Sequence, residues 1–182
     1  MPNRFAFVGG QTGRWHVRSM QTVRGLALAD ALRLDIVPAQ GPVPSIPAAW
    51  TLHGLISNVR YATRAELTAL QSKQQMLNRP TATRAALIPI TKSAEWWALA
   101  QDERRTIFED RSRHTAIGLQ YLPAIARQLY HCRDVGEPFD FLTWFEYAPE
   151  HAEAFEELVG ALRATVEWTY VEREIDIRLE RE

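Results

Sequence analysis

His114 and Arg127 are the residues of this chain best suited to chemistry, and both lie in one aromatic-rich block. It reads Arg113-His114-Thr115, then Arg127-Gln128-Leu129-Tyr130-His131-Cys132-Arg133. A neutral imidazole ligates metals. A guanidinium is cationic at any working pH and holds anions through several donors at once. The Trp96-Trp97 doublet precedes the pair and Glu167 follows it. His114 falls in a helical stretch, and Arg127 opens the strand-like run after it. On a strand, Arg127 and Leu129 share one face, as do Thr143 and Phe145 on the partner strand. That puts a charged fork in mostly apolar company. Burying it is costly unless an anion or hydrogen bonds compensate, and an oxyanion supplies that compensation.

Other chemistries are less well served. The histidines are His16, His53, His114, His131 and His151, and none has zinc-motif spacing. The lone Cys132 excludes a thiolate zinc site, and no Gly-x-Ser-x-Gly elbow is present. A single histidine on iron is what a haem needs, because the porphyrin supplies the other nitrogens. In that arrangement Glu167 accepts the far N–H of the ligating ring, orienting it and raising its donor strength. Lys92 pairs with Glu167, and Trp96 and Trp97 wall a flat macrocycle. The plain alternatives are a hydrogen-bonded imidazole, an arginine paired with a carboxylate or facing water, a surface Glu and Lys, and two core tryptophans.

The elements that position these residues follow from periodicity. Arg4 to Val8 and Trp15 to Met20 read as strands, with hairpin chemistry in Gly9-Gly10-Gln11-Thr12-Gly13. Val23 to Leu34 reads as a helix of imperfect spacing. Pro38 to Pro47 is a loop. Trp50 to Tyr61 has strand character. Thr63 to Leu77 is helical, with Thr63 and Glu66 forming a capping box. Thr81 to Ile90 is a strand ended by Pro89. Ser93 to Leu99 is a short helix, and Asp102 to Gln120 a longer one. Ile125 to Arg133 and Phe139 to Tyr147 are strands. Pro149 opens a helix whose Ala152, Phe155, Leu158, Val159 and Leu162 recur at helical spacing. Val171, Ile175, Ile177 and Leu179 alternate with charged residues, a period of two. The order predicts an α+β fold of two ferredoxin-like halves, antiparallel sheets with helices outside. The boundaries are 1–78 for an abbreviated N-terminal half and 79–182 for the C-terminal half.

Bulk properties narrow the setting. The chain has 182 residues, 46% of them apolar, and a net charge of −1, so it carries no basic footprint for nucleic acid. No apolar run approaches membrane-spanning length, and the N-terminus lacks a signal-peptide pattern. One cysteine fits a reducing compartment. The expectation is a cytoplasmic protein without nucleic-acid or membrane partners.

The chain resembles the short-chain, dimeric branch of the chlorite dismutase family. The resemblance is carried by Ala82 to Ile90, Lys92-Ser93-Ala94-Glu95-Trp96-Trp97, Arg104 to Asp110, Tyr121 to Asp134, Phe139 to Tyr147 and Glu167 to Arg173. It implies a dimeric α+β barrel fold and one haem b per subunit in the C-terminal half. The implied reaction turns chlorite, or a similar small oxyanion, into chloride and dioxygen by O–Cl cleavage and O–O bond formation at ferric haem. By the same resemblance His114 is the metal ligand and Arg127 the catalytic arginine, held in one rotamer by Gln74. Lys92 and Glu167 form the supporting pair. Trp97, with Trp96 beside it, walls the pocket, while Asn58 and Tyr61 contact the haem rim. Ile88, Leu129, Thr143 and Phe145 complete the cofactor surface, and the assembly is a homodimer. The rival readings are a haem carrier or sensor and a haem-biosynthesis decarboxylase relative. The decarboxylases are longer chains with glutamine in place of Arg127.

Overall fold

The computed structural model describes residues 3–39 and 47–182, so positions 40–46 of the expected proline-rich loop lie outside the described residues. Eight strands form: β1 (Arg4–Gly10), β2 (Trp15–Arg24), β3 (Arg33–Pro38), β4 (Ala48–Leu55), β5 (Arg84–Lys92), β6 (Ala126–His131), β7 (Phe141–Tyr147) and β8 (Val171–Glu180). They close into one barrel in the order β1-β3-β2-β8-β5-β7-β6-β4. Every pairing is antiparallel. Read around the ring, the order β4-β1-β3-β2 is followed by β8-β5-β7-β6, the same arrangement twice.

The period of two decides what fills the barrel. Ile175, Ile177 and Leu179 of β8 are buried inside with Phe7, Trp15, Leu34, Trp50, Leu87, Leu142 and Trp144. Trp15 and Trp144 meet edge to face at 5.2 Å. Large rings suit the interior of an eight-stranded barrel, which side chains must fill. The opposite face of β8 presents Glu174 and Asp176, both buried and both paired with Arg163.

Among the described residues every helix follows β4. Here α1 is Arg64–Lys73, α2 Ala94–Ala98, α3 Gln101–Arg105, α4 His114–Gln120 and α5 Ala152–Arg163. The capping box of Thr63 and Glu66 starts α1. A 3-10 turn from Pro149 to His151 leads into α5, which buries Phe155, Leu158, Val159 and Leu162. These pack on Ala86, Ile88, Ile90, Phe141 and Phe145, forming a second core outside the barrel. Among the described residues no helix is long and apolar enough to cross a membrane.

Several expectations are corrected. The glycine run after β1 makes no hairpin, because β3 lies between β1 and β2. The link steps over β3 instead. At Gly13 (φ +146°) a Cβ would sit 2.6 Å from the Leu34 carbonyl carbon, so only glycine passes there. No helix spans 23–34: β2 continues to Arg24 and β3 begins at Arg33, with irregular chain between. Leu26 and Leu32 are 77% and 59% exposed, while Leu28, Ala31 and Leu34 meet the barrel core from irregular chain and the start of β3. The strand expected from Trp50 stops at Leu55, where its pairing with His131 is its last contact to β6. Pro89 does not end β5, which runs on to Lys92. The β8 ladder skips Ile88 and Pro89, so the missing N–H interrupts no pair there. The long helix over 102–120 is broken. A π-helical turn at Thr106–Arg111 follows α3, and Arg113 is left-handed (φ 54°) before α4 starts.

Candidate functional site

A cleft separates the outer face of β5–β7 from α1, α4 and α5. Its sheet wall is every second residue of those strands: Ile88, Ile90 and Lys92, then Arg127, Leu129 and His131, then Phe141, Thr143 and Phe145. The helical wall contributes Leu70, His114, Thr115, Gly118, Leu158, Val159 and Leu162, with Tyr61, Trp96, Phe108 and Trp168 beside them. The cleft encloses about 1280 Å³, solvent at its mouth included.

His114 is the first residue of α4. The Glu109 carboxylate caps this helix, accepting from the Thr115 N–H (2.7 Å) and the Ala116 N–H (3.2 Å). That side-chain cap, together with the left-handed Arg113, separates α4 from the preceding turn. The Phe108 ring stacks on the imidazole at 4.3 Å. Nδ1 of His114 lies 2.6 Å from Oε2 of Glu167. The other carboxylate oxygen accepts from Lys92 Nζ at 2.7 Å, and the Glu167 N–H donates to Ser112 Oγ at 2.9 Å. Glu167 and Lys92 are each 3% exposed. Burial alone would raise the Glu167 carboxyl, but His114 and Lys92 outweigh it and hold the group at about 2. Burial pushes Lys92 below its ordinary value, against the pull of Glu167. An ionised carboxylate only accepts, so Nδ1 carries a proton, and in the neutral ring Nε2 has the free lone pair.

Arg127 presents the opposite case. No described residue forms a hydrogen bond or ion pair with its guanidinium, which faces a cleft lined mainly by carbon, and burial draws its pKa downward. The group stays cationic even so. Gln74 does not clamp the guanidinium. Its Nε2 donates instead to the Arg127 backbone carbonyl at 2.8 Å, fixing the strand rather than the rotamer.

The remaining expected residues divide. Ile88, Leu129, Thr143, Phe145, Tyr61 and Trp96 line the cleft. Trp97 lies outside that lining. It donates to Asp140 at 2.9 Å, stacks on Phe141, and carries the Arg133 guanidinium 4.2 Å above its ring. Asn58 is exposed and lies outside the lining too. Sequence reasoning missed Glu109, Ser112 and Arg104. Arg104 binds the carbonyls of Trp96, Trp97 and Leu99, closing the end of α2 and fixing Trp96. It also left Arg60 and His131 unassigned, though both line the cleft.

The donor set fits a flat tetradentate macrocycle. Among the described residues no group of three or more His, Cys, Asp or Glu side chains can hold a metal ion. A metal on His114 Nε2 therefore takes its other ligands from elsewhere, and a porphyrin provides them in a plane that an apolar cleft accepts.

Comparison with known proteins bears on this arrangement. A family model described as chlorite dismutase matches residues 44–180. The structure of a dimeric chlorite dismutase from Nitrobacter winogradskyi is 62% identical, covers 97% of this chain and 99% of that one, and superposes with a TM-score of 0.91. A mutant chlorite dismutase from Candidatus Nitrospira defluvii is 30% identical, covering 73% of this chain and 55% of that one, with a TM-score of 0.61. A chlorite dismutase from Ideonella dechloratans is 36% identical over 62 residues, a match that spans 34% of this chain and 20% of that protein.

Proposed function

This chain belongs to the chlorite dismutase family, and from that premise we propose that it is a haem b-dependent enzyme converting chlorite to chloride and dioxygen. The observation that carries the proposal is one cleft lined both by an imidazole with a buried carboxylate behind it and by a guanidinium without a counter-ion. His114 would hold the iron of a bound haem through Nε2. Glu167 keeps the Nδ1 proton and orients the ring, and Lys92 keeps Glu167 ionised. Ile88, Leu129, Thr143, Phe145, Trp96 and Tyr61, which line the cleft, would contact the porphyrin. When bound, haem iron supplies the redox centre at which the O–Cl bond is cleaved. Arg127 would attract the chlorite anion into an apolar space and hold its chlorine-bearing fragment there. Arg127 is half-buried among apolar side chains, where its charge is screened less than in bulk water.

The test is direct. Chlorite added to haem-loaded protein under an oxygen electrode releases one dioxygen per chlorite consumed. Bleaching without dioxygen refutes the enzyme and leaves a haem carrier.

We infer further that the barrel is a fusion of two ferredoxin-like halves, 1–78 and 79–182. The repeated strand order supports this, as does the β-α-β-β-α-β succession of the second half. The assembly is a homodimer, and a solution mass of twice 20.8 kDa by light scattering checks it.

A further inference from the structure

Two glycines stand in helices where the backbone does not require them. Gly118 of α4 and Gly160 of α5 have ordinary helical torsions, outside the left-handed region. At either position a Cβ would meet no atom within 4 Å beyond its own helix backbone and chain neighbours. Gly9 and Gly54 differ, because the space of their missing Cβ is taken by Trp50 and Tyr130. Glycine weakens a helix relative to alanine. At 118 and 160, then, the protein forgoes helix stability with no return from its own packing. Gly160 is exposed, and open solvent accounts for the space beside it.

Gly118 is half-buried and lines the cleft. It follows His114 by four residues, so the two stand on one face of α4, one turn apart. A helical side chain leans towards the N-terminus and covers the preceding turn. Any side chain at 118 would therefore spread over the turn that carries the imidazole. Phe108 stacks on that ring at 4.3 Å, and Glu167 takes its Nδ1. A metal ion held at Nε2 needs no room one turn further along the helix. A macrocycle does, because its plane extends sideways from its metal in every direction. The open space at 118 adjoins the ligand on the same helix face, where that plane needs it.

We propose that Gly118 is the specificity-determining position that lets a flat macrocycle lie along α4 while His114 ligates its metal. This rests on the haem reading given above and names the residue that makes room for the ring. Apo-protein is titrated with haem b, following Soret absorbance, and is melted without haem. In Gly118→Ala the apo-protein melts about 1–4 °C higher, the gain of alanine over glycine in a helix of a chain this size, yet haem binds more weakly. Gly118→Leu lowers haem affinity about 10- to 100-fold, the range of an overpacked site, with an apo melting point no lower than wild type. Gly160→Ala gains similar stability and leaves haem affinity unchanged. A merely structural role for Gly118 would lower stability and affinity together. Wild-type affinity in the Gly118 variants overturns the proposal, because the ring then lies away from α4, and the haem reading stands. A lower apo melting point in Gly118→Ala also overturns it, since the protein itself then needs the space. If the wild type binds no haem, both readings fall.

Discussion

The His114 network and the surroundings of Arg127 treat their charges in opposite ways. Around His114 every charge is matched: the carboxylate of Glu167 serves His114 and Lys92, which reaches over from β5, and Ser112 Oγ accepts its backbone N–H. On the sheet side the Arg127 guanidinium stands among Leu129, Thr143 and Phe145 with no described counter-ion. A satisfied buried network is rigid and suits a group that must hold one orientation. An unsatisfied cation spends stability and suits a group that waits for an anion. The contrast separates holding from acting.

The largest break in that contrast comes from Glu167→Ala. It strips the carboxylate from a buried lysine, so unfolding free energy falls by about 3–5 kcal/mol. Chemical denaturation of the apo-protein measures the loss, and a variant as stable as wild type would mean the network is ornamental. Arg127→Met works in the reverse sense. The apo-protein becomes no less stable, since no pairing is lost, while chlorite turnover drops about 10²- to 10³-fold. Steady-state oxygen release alongside the same denaturation curve checks both halves, and a strong destabilisation would reveal a hidden partner for the guanidinium. Glu109→Ala removes the α4 cap and costs about 1 kcal/mol. It also weakens haem retention, read as faster transfer to an acceptor globin, because the helix that aims His114 loses its anchor.

The smallest effect lies outside both walls. Glu66 pairs with Arg105, tying α1 to α3. The Arg105 hydrogen bond, working against burial, brings the Glu66 carboxyl down from 4.5 to about 2. A lowered carboxylate contributes stability above its unfolded pKa and loses it as pH falls through the folded value. The contribution is therefore complete above about 4.5 and declines from there towards 2. Glu66→Gln flattens the stability profile in that window alone, and thermal melts across it show whether the pair responds independently of the cleft.

Much of this was legible from residue order, and the failures have physical causes. The alternation in β8 and the apolar stripe of α5 are long signals from burial on one face, and both elements form as read. Thr63 with Glu66 is a local cap needing no distant partner. Val23 to Leu34 misled because its leucines were counted as one face, whereas Leu26 and Leu32 are exposed and Leu28 and Leu34 meet the core. The break before α4 depends on Glu109 reaching backbone N–H groups beyond Arg113, a contact that periodicity cannot register. The resemblance put Trp97 on the pocket wall with Trp96 beside it, but adjacent helical residues point about 100° apart, and Trp96 alone of the two reaches the cleft. Gln74 lies beside Arg127 as the resemblance implied, yet it grips main chain. His131 had the same strand parity as Arg127, a signal that was present but unused.

The strict alternation along β5, β6 and β7 has a consequence for redesign. One set of residues on these strands fills the barrel and the interleaved set lines the cleft, so each strand carries two messages with little cross-talk. Positions such as Thr143, Leu129 and Ile88 can be varied to reshape what the protein accepts while the scaffold holding them is left alone.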